Sequence, residues 1–437
     1  MRRGFVTALA LGALVAGCGL FEEDEVILPG ERVAVRAAQP DAVMPAARAA
    51  EISALGPARA LADWTQPNGQ ADRAPGHIAG PAQLREAWRT SIGSGSSSAG
   101  RITAAPIVMG GRVFTLDAAS TVAAVDAGSG RVVWRASVAP EGQSARDGFG
   151  GGLAAEDGRI FVSTGFGEVV ALSANDGQVL WRQTLGAPLR AAPAVANGRV
   201  VAVTRDNGGF ALDAQTGGIL WRVVGARGGA GFLGGASPAV AGDVAILPFT
   251  SGELAAVSAA TGRRLWSDAL TGGRRGSAGA DIADISGDPV IAGPAVFASN
   301  FAGQMVGIDA RTGQRGWLRP IRTASPVWPV GATLFLASAD GRVMRLSAAT
   351  GETLWSTELP AHRRPDRRQD VISYRGPVVA DGAVYVTSSQ DGLLVFDAMT
   401  GQERSRVAIS GGSTVPPVVA GGTLYVLSDN GNLHAFR

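Results

Sequence analysis

Histidine and cysteine, the residues most often used for acid–base, metal or thiol chemistry, number three and one in this chain, and the spacing of the histidines is uninformative. The three histidines, His77, His362 and His434, lie far apart without metal-ligand spacing. Gly229 to Gly234, GAGFLG, fits the G-x-G-x-x-G pattern of a dinucleotide loop. A dinucleotide site needs a helix next, and the following ASPAVAGDVAIL reads as strands. The run HRRPDRR, His362 to Arg368, is basic but has no interleaved aromatics, as in a solvated loop or a contact for an acidic partner or lipid headgroup. The one residue with a clear chemical assignment is Cys18, the single cysteine. Arg2 and Arg3 precede a short apolar run, Gly4 to Gly17, that ends in VAGC. Small residues before a cysteine at the end of such a run match the bacterial lipobox. The chemistry is thiol acylation followed by cleavage before Cys18, so residues 1–17 are expected to be a signal peptide. Gly19, rather than Asp, follows the cysteine. By the enterobacterial sorting rule, that points to the outer membrane.

The composition excludes several classes. Among 437 residues, 46% are hydrophobic, 17% are charged and 62 are glycine, as expected for an all-β chain with many tight turns. The formal charge is +2, and removing Arg2 and Arg3 leaves 2 − 2 = 0. No nucleic-acid footprint remains. From Cys18 to Gln83 the chain is rich in Ala, Pro and charge, and reads as a lipidated tether. Trp64 would be wasted in a solvated linker and is expected to pack on the main domain.

The elements that must carry any site are written as a repeat. LDAQTGGILWR, Leu212 to Arg222, recurs as VDAGSGRVVWR ending at Arg135, LSANDGQVLWR at Arg182 and VSAATGRRLWS at Ser267. It recurs again as IDARTGQRGWL at Leu318 and LSAATGETLWS at Ser356. A seventh copy, FDAMTGQERSR, has Ser405 where tryptophan is expected. The tryptophans are Trp88, Trp134, Trp181, Trp221, Trp266, Trp317 and Trp355, spaced from 38 residues (Trp317 to Trp355) to 51 (Trp266 to Trp317). Each unit reads as four short strands separated by Gly, Asp and Ser turns, which is one blade of a β-propeller. The glycine supplies positive φ at the third turn, the Asp before it caps the turn, and the tryptophan fills the wedge between blades. After the seventh copy the chain supplies three strands and stops, while Leu84 to Ile92 supplies one. Together they make an eighth blade. The fold is therefore expected to be an eight-bladed β-propeller over 84–437, its ring closed by an N-terminal strand joining three C-terminal strands.

The repeat resembles the tryptophan-docking (PQQ-like) repeat of pyrroloquinoline-quinone enzymes. Those enzymes hold quinone and Ca²⁺ centrally, commonly beside a vicinal disulfide. One cysteine forbids that disulfide, and no Glu, Asn and Asp set for the metal is recognisable, so no cofactor and no catalytic residue is expected.

Lipobox, tether and eight docking blades together resemble the BamB family, lipoproteins of the β-barrel assembly machinery, in its α-proteobacterial form. The resemblance implies a non-enzymatic scaffold anchored by lipid at the periplasmic face of the outer membrane. It would bind BamA and help outer-membrane protein clients reach the barrel. In the family, an Asp-x-Asp loop contacts BamA. Here that loop lies in DIADISGDPVIAG, Asp281 to Gly293, with Asp284 at the first Asp and Ser286 at the second. A second family contact loop carries Leu-Arg. Phe232 and Leu233 keep its apolar character here without the Arg. The resemblance thus implies a patch of Phe232, Leu233, Asp281, Asp284 and Ser286, with a cation of the partner opposite Asp284. The alternatives are a periplasmic quinoprotein-like enzyme, a sugar-binding propeller, or a peptidoglycan-associated scaffold.

Overall fold

The computed structural model describes residues 54–437 apart from Arg146, Phe149, 229–234, 271–282 and Arg368. Eight four-stranded antiparallel sheets follow one another along these residues. Blades 1 to 7 span 107–137, 151–184, 194–224, 239–269, 285–319, 328–358 and 374–407. Blade 8 joins Glu86–Ser91 to the three C-terminal strands Val418–Ala420, Thr423–Leu427 and Asn432–Phe436. Its closing pair runs Trp88 opposite Ala435 to Ser91 opposite Asn432. This is the eight-bladed ring, closed by its N-terminal strand, that the repeat implies. A small hairpin, His362–Arg364 with Gln369–Val371, lies between blades 6 and 7.

One contact recurs at seven blade joints. The indole of each motif tryptophan lies on the third turn of the following blade. Its N–H donates to an alanine carbonyl there, from Trp266 to Ala310 at 2.8 Å to Trp88 to Ala127 at 3.2 Å. Trp221 donates to Ala259 at 2.9 Å. The turn glycine is what lets the ring approach. Gly262 has φ +72°, and a Cβ on it would stand 2.9 Å from the Trp221 ring. At Gly217 the same atom would stand 2.7 Å from Trp181. The glycine therefore meets two demands at once, positive φ and close approach. The preceding Asp fixes the turn as expected: Asp213 Oδ1 accepts from the Thr216 amide at 2.7 Å and its hydroxyl at 2.9 Å.

A β-bulge aims the tryptophan. In blade 3 the pairing passes from Ala211–Trp221 to Leu212–Ile219, leaving Leu220 as the extra residue. The same shift occurs beside Trp134, Trp181, Trp266, Trp317 and Trp355, and beside Trp88 in the closing strand. Bulges increase local twist and redirect a side chain. Ser405 keeps the bulge. Its lack of an indole has a topological cause: the third and fourth strands of blade 8 are the two ends of the chain, so no turn exists there to receive one.

The stretch read as a tether is different over residues 61–80. These residues make one circuit of the ring and bond to the innermost strand of every blade. Gly421 N–H donates to Leu61 O, and Trp64 pairs both ways with Val108. Ala155 N–H donates to Thr65 O, and the Gln66 amide brackets Val195. Val240 and Ile291 N–H groups donate to Ala71 O and Asp72 O. Trp328 Nε1 donates to Gly76 O, and Ile78 bonds Val379 and Asp381. This strap satisfies backbone groups at strand ends that an open ring would leave unpaired. Trp64, 1% exposed, stacks on Trp328 with ring centroids 5.6 Å apart.

Replacing Trp221 by alanine is expected to cost about 3–5 kcal/mol in chemical denaturation, the range for large aromatic deletions in cores. Ser405→Ala, at a joint without a docked indole, is expected to stay within about 0.5 kcal/mol of the parent. Equal effects at the two positions would contradict the docking assignment.

Candidate functional site

Segments entering the innermost strands of all eight blades surround a central cavity of about 410 Å³. Trp64, Pro67 and Asn68 of the strap floor it, so it opens away from the strap. Its walls include Ile102, Leu153, Pro326, Pro416 and Val418, and its charges are Arg101, Arg190, Arg375, Asp284 and Asp288.

The charges are arranged in two tiers. Near the strap, Arg73 is 0% exposed. Its guanidinium donates to Pro238 O through Nε and Nη2 and to Pro67 O through Nη1, and it stands 3.8 Å from Asp288. Burial lowers the Arg73 pKa, against the pull of Asp288 and Asp72. Burial also raises that of Asp288, against Arg73 and the Ser237 amide. Higher up, Asp284 is 3% exposed, and its Oδ2 is 3.4 Å from Arg190 Nη2. That pair reaches from the entry of blade 3 to the entry of blade 5. Ser286 Oγ donates to Thr323 O at 2.7 Å, tying the start of blade 5 to the entry of blade 6.

Phe232, Leu233 and Asp281 lie outside the described residues, as does Cys18. Their segments join blade 3 to blade 4 and blade 4 to blade 5, and the flanking Gly235 and Asp284 both line the cavity. Asp284 and Ser286 are therefore brought together with the described end of the apolar loop. Asp284 already has a cation in its own chain, in Arg190, where sequence reasoning placed one from a partner. The seven tryptophans Trp88, Trp134, Trp181, Trp221, Trp266, Trp317 and Trp355 all sit in blade joints.

Sequence reasoning missed Arg190, Arg375, Arg101, Asp288 and Arg73. The first four had a signal. Each lies one to five residues before the proline near the start of an innermost strand, as in RITAAP, RAAP, GDP and RGP. Aligning those segments between units would have placed them on one ring of side chains. Arg73 had none, because the strap is not part of the repeat. Two of the histidines serve the frame, and His362 lies in the small hairpin between blades 6 and 7. His77 accepts from Gly382 N–H at Nε2 and contacts Gly56 O at Nδ1, while His434 contacts Glu86 across the closing strand pair. Burial lowers the His434 pKa despite Glu86.

These features define an eight-bladed propeller of the tryptophan-docking class, with a strapped floor and a charged central cavity. Solved structures share the fold. BamB from Moraxella catarrhalis aligns with TM-score 0.64 and 19% identity, over 82% of this chain and 98% of that one. Quinohemoprotein alcohol dehydrogenase from Comamonas testosteroni aligns with TM-score 0.65 and 14% identity, over 90% and 82%. The family model for the outer membrane protein assembly factor BamB matches residues 118–357 and 361–437. The BamB of Burkholderia pseudomallei is 30% identical over 81% of this chain and 88% of its own length. That of Yersinia pestis is 26% identical over 80% and 88%. The chain belongs to the BamB family of outer membrane protein assembly factors.

Arg73→Ala is expected to cost about 3–5 kcal/mol in urea denaturation, because it strands the buried Asp288 carboxylate and two carbonyls. Proteolysis within 61–80 should accelerate in parallel. A variant as stable and as protease-resistant as the parent would show that the strap is not held by this guanidinium.

Proposed function

We propose that the chain is a non-enzymatic scaffold of the β-barrel assembly machinery that docks BamA on the face where the central cavity opens. The observation that carries this reading is the convergence of two loop ends. Gly235, which follows the Phe232–Leu233 segment, and Asp284, which follows Asp281, line one cavity and belong to the entries of adjacent blades. An apolar anchor beside charge on a rigid frame is a common way to build an interface hot spot. The Arg190–Asp284 pair gives Asp284 a positioning role: it ties the entry of blade 5 to the entry of blade 3. Phe232, Leu233 and Asp281 are then the contact residues.

Lipid on Cys18 would hold the ring at the periplasmic face of the outer membrane. One acyl chain binds only marginally, whereas the three of a mature bacterial lipoprotein anchor firmly, each buried CH₂ contributing about 0.8 kcal/mol. Clients would meet the assembled machinery there.

The enzymatic alternative fits the cavity poorly. Its two carboxylates, Asp284 and Asp288, each face an arginine of the chain itself. Among the described residues, no three His, Cys, Asp or Glu side chains gather as a metal set.

Leu233→Ala combined with Asp281→Ala is expected to abolish co-purification of BamA from native outer membranes, with the circular dichroism spectrum unchanged. Undiminished recovery of BamA with the fold intact would place the docking surface elsewhere on the ring.

A further inference from the structure

Among the described residues, the cavity is lined by more cationic than anionic side chains. Its lining holds three guanidinium groups, Arg101, Arg190 and Arg375, against two carboxylates, Asp284 and Asp288. Both carboxylates are engaged, Asp284 by Arg190 and Asp288 by Arg73 and the Ser237 amide. Arg375 is different. Its Nη1 donates only to the neighbouring Tyr374 carbonyl, 3.1 Å away, and no carboxylate is within ion-pair distance among the described residues. The acid that acts on it, Asp429, is held by the amide and hydroxyl of Thr414. Burial lowers the Arg375 pKa, so the charge is held at a desolvation cost with little local compensation.

A guanidinium has donors only. A cavity lined by an under-compensated guanidinium calls for a ligand that brings acceptors and negative charge. The walls between the charged groups are apolar, formed by Leu153, Pro326, Pro416 and Val418. A volume of about 410 Å³ falls in the range of small-molecule pockets.

From this we infer that the central cavity is a binding site for a small organic anion, a carboxylate on a compact apolar body, with Arg375 as its principal counter-charge. Arg375 donates two parallel N–H bonds to the carboxylate, the bidentate geometry a guanidinium fork favours. Arg101, exposed near the rim, draws the anion in. The strap forms the floor, so the ligand enters from the face away from it. The cavity mouth lies on the face proposed for BamA, but the anion site is carried by Arg375 and is tested on the chain alone, so its failure and that of the docking reading are distinguishable.

Isothermal titration of the full mature chain with benzoate at low salt is the test, with benzyl alcohol and inorganic phosphate as comparison arms. Benzoate is expected to bind at least tenfold more tightly than benzyl alcohol. Arg375→Gln should abolish that preference, and Arg375→Lys should keep part of it. Binding of phosphate as tight as benzoate would overturn the organic-anion assignment in favour of a plain anion hole. A second readout uses the unmodified protein: benzoate, but not benzyl alcohol, should protect Arg375 from phenylglyoxal, as mapped by peptide mass spectrometry. No benzoate binding at tens of millimolar, equal binding of benzyl alcohol, or absence of protection at Arg375 would each overturn the inference.

Discussion

An indole lying on a glycine turn is the contact on which the ring depends. Each blade alone is a small sheet with two apolar faces, and it is stable only when both faces are covered. Side-chain packing between blades covers them, but packing alone does not set the angle between neighbours. The tryptophan does. Its ring meets the following turn and its N–H donates to an alanine carbonyl, fixing both distance and direction at seven joints. A side chain on the turn glycine would collide with the ring, from 2.5 Å at Gly401 to 2.9 Å at Gly262. The pairing is thus mutual: the glycine exists for the tryptophan, and the tryptophan has nowhere to sit without the glycine. The one joint without an indole is the one where the receiving turn is replaced by the two ends of the chain.

Closure is doubled at this point in the molecule. Glu86–Ser91 completes blade 8 from the N-terminal side, and residues 61–80 then bind every innermost strand in turn. The first device removes the free sheet edges within the ring. The second converts a channel into a cup. The functional consequence is a rigid rim. Segments that enter the eight innermost strands are held at one end by blades packed on both sides, and at blades 3 and 5 by the Arg190–Asp284 pair.

Much of this was legible because the repeat is written in residues with single purposes. Tryptophan at a fixed distance after a glycine turn, six times, leaves few architectures open. The split blade followed from counting strands at the two ends. What stayed hidden has physical reasons. The bulge before the tryptophan is not distinctive in sequence: its extra residue is leucine in four units, Leu180, Leu220, Leu265 and Leu354, and an apolar residue beside a tryptophan suits a regular strand equally well. The strap is concealed by its composition: it binds mainly through backbone groups, so Pro, Gly and charged residues serve there as well as apolar ones. Arg73 looked like a solvated linker charge and is instead wholly buried among carbonyls. Asp284 was visible as a residue of interest, but its partner Arg190 lies 94 residues earlier and carries no local sign of the pairing.

The double-mutant cycle between Trp221 and Gly262 tests the joint most directly. In the parent, Gly262→Ala suffers both positive-φ strain and collision with the indole. In the Trp221→Ala background only the strain remains. Chemical denaturation of the four proteins should therefore give a coupling energy of about 1–3 kcal/mol, with Gly262→Ala much less costly once the indole is gone. Strict additivity of the two substitutions would contradict the account, because it would mean that the indole and the turn do not constrain one another.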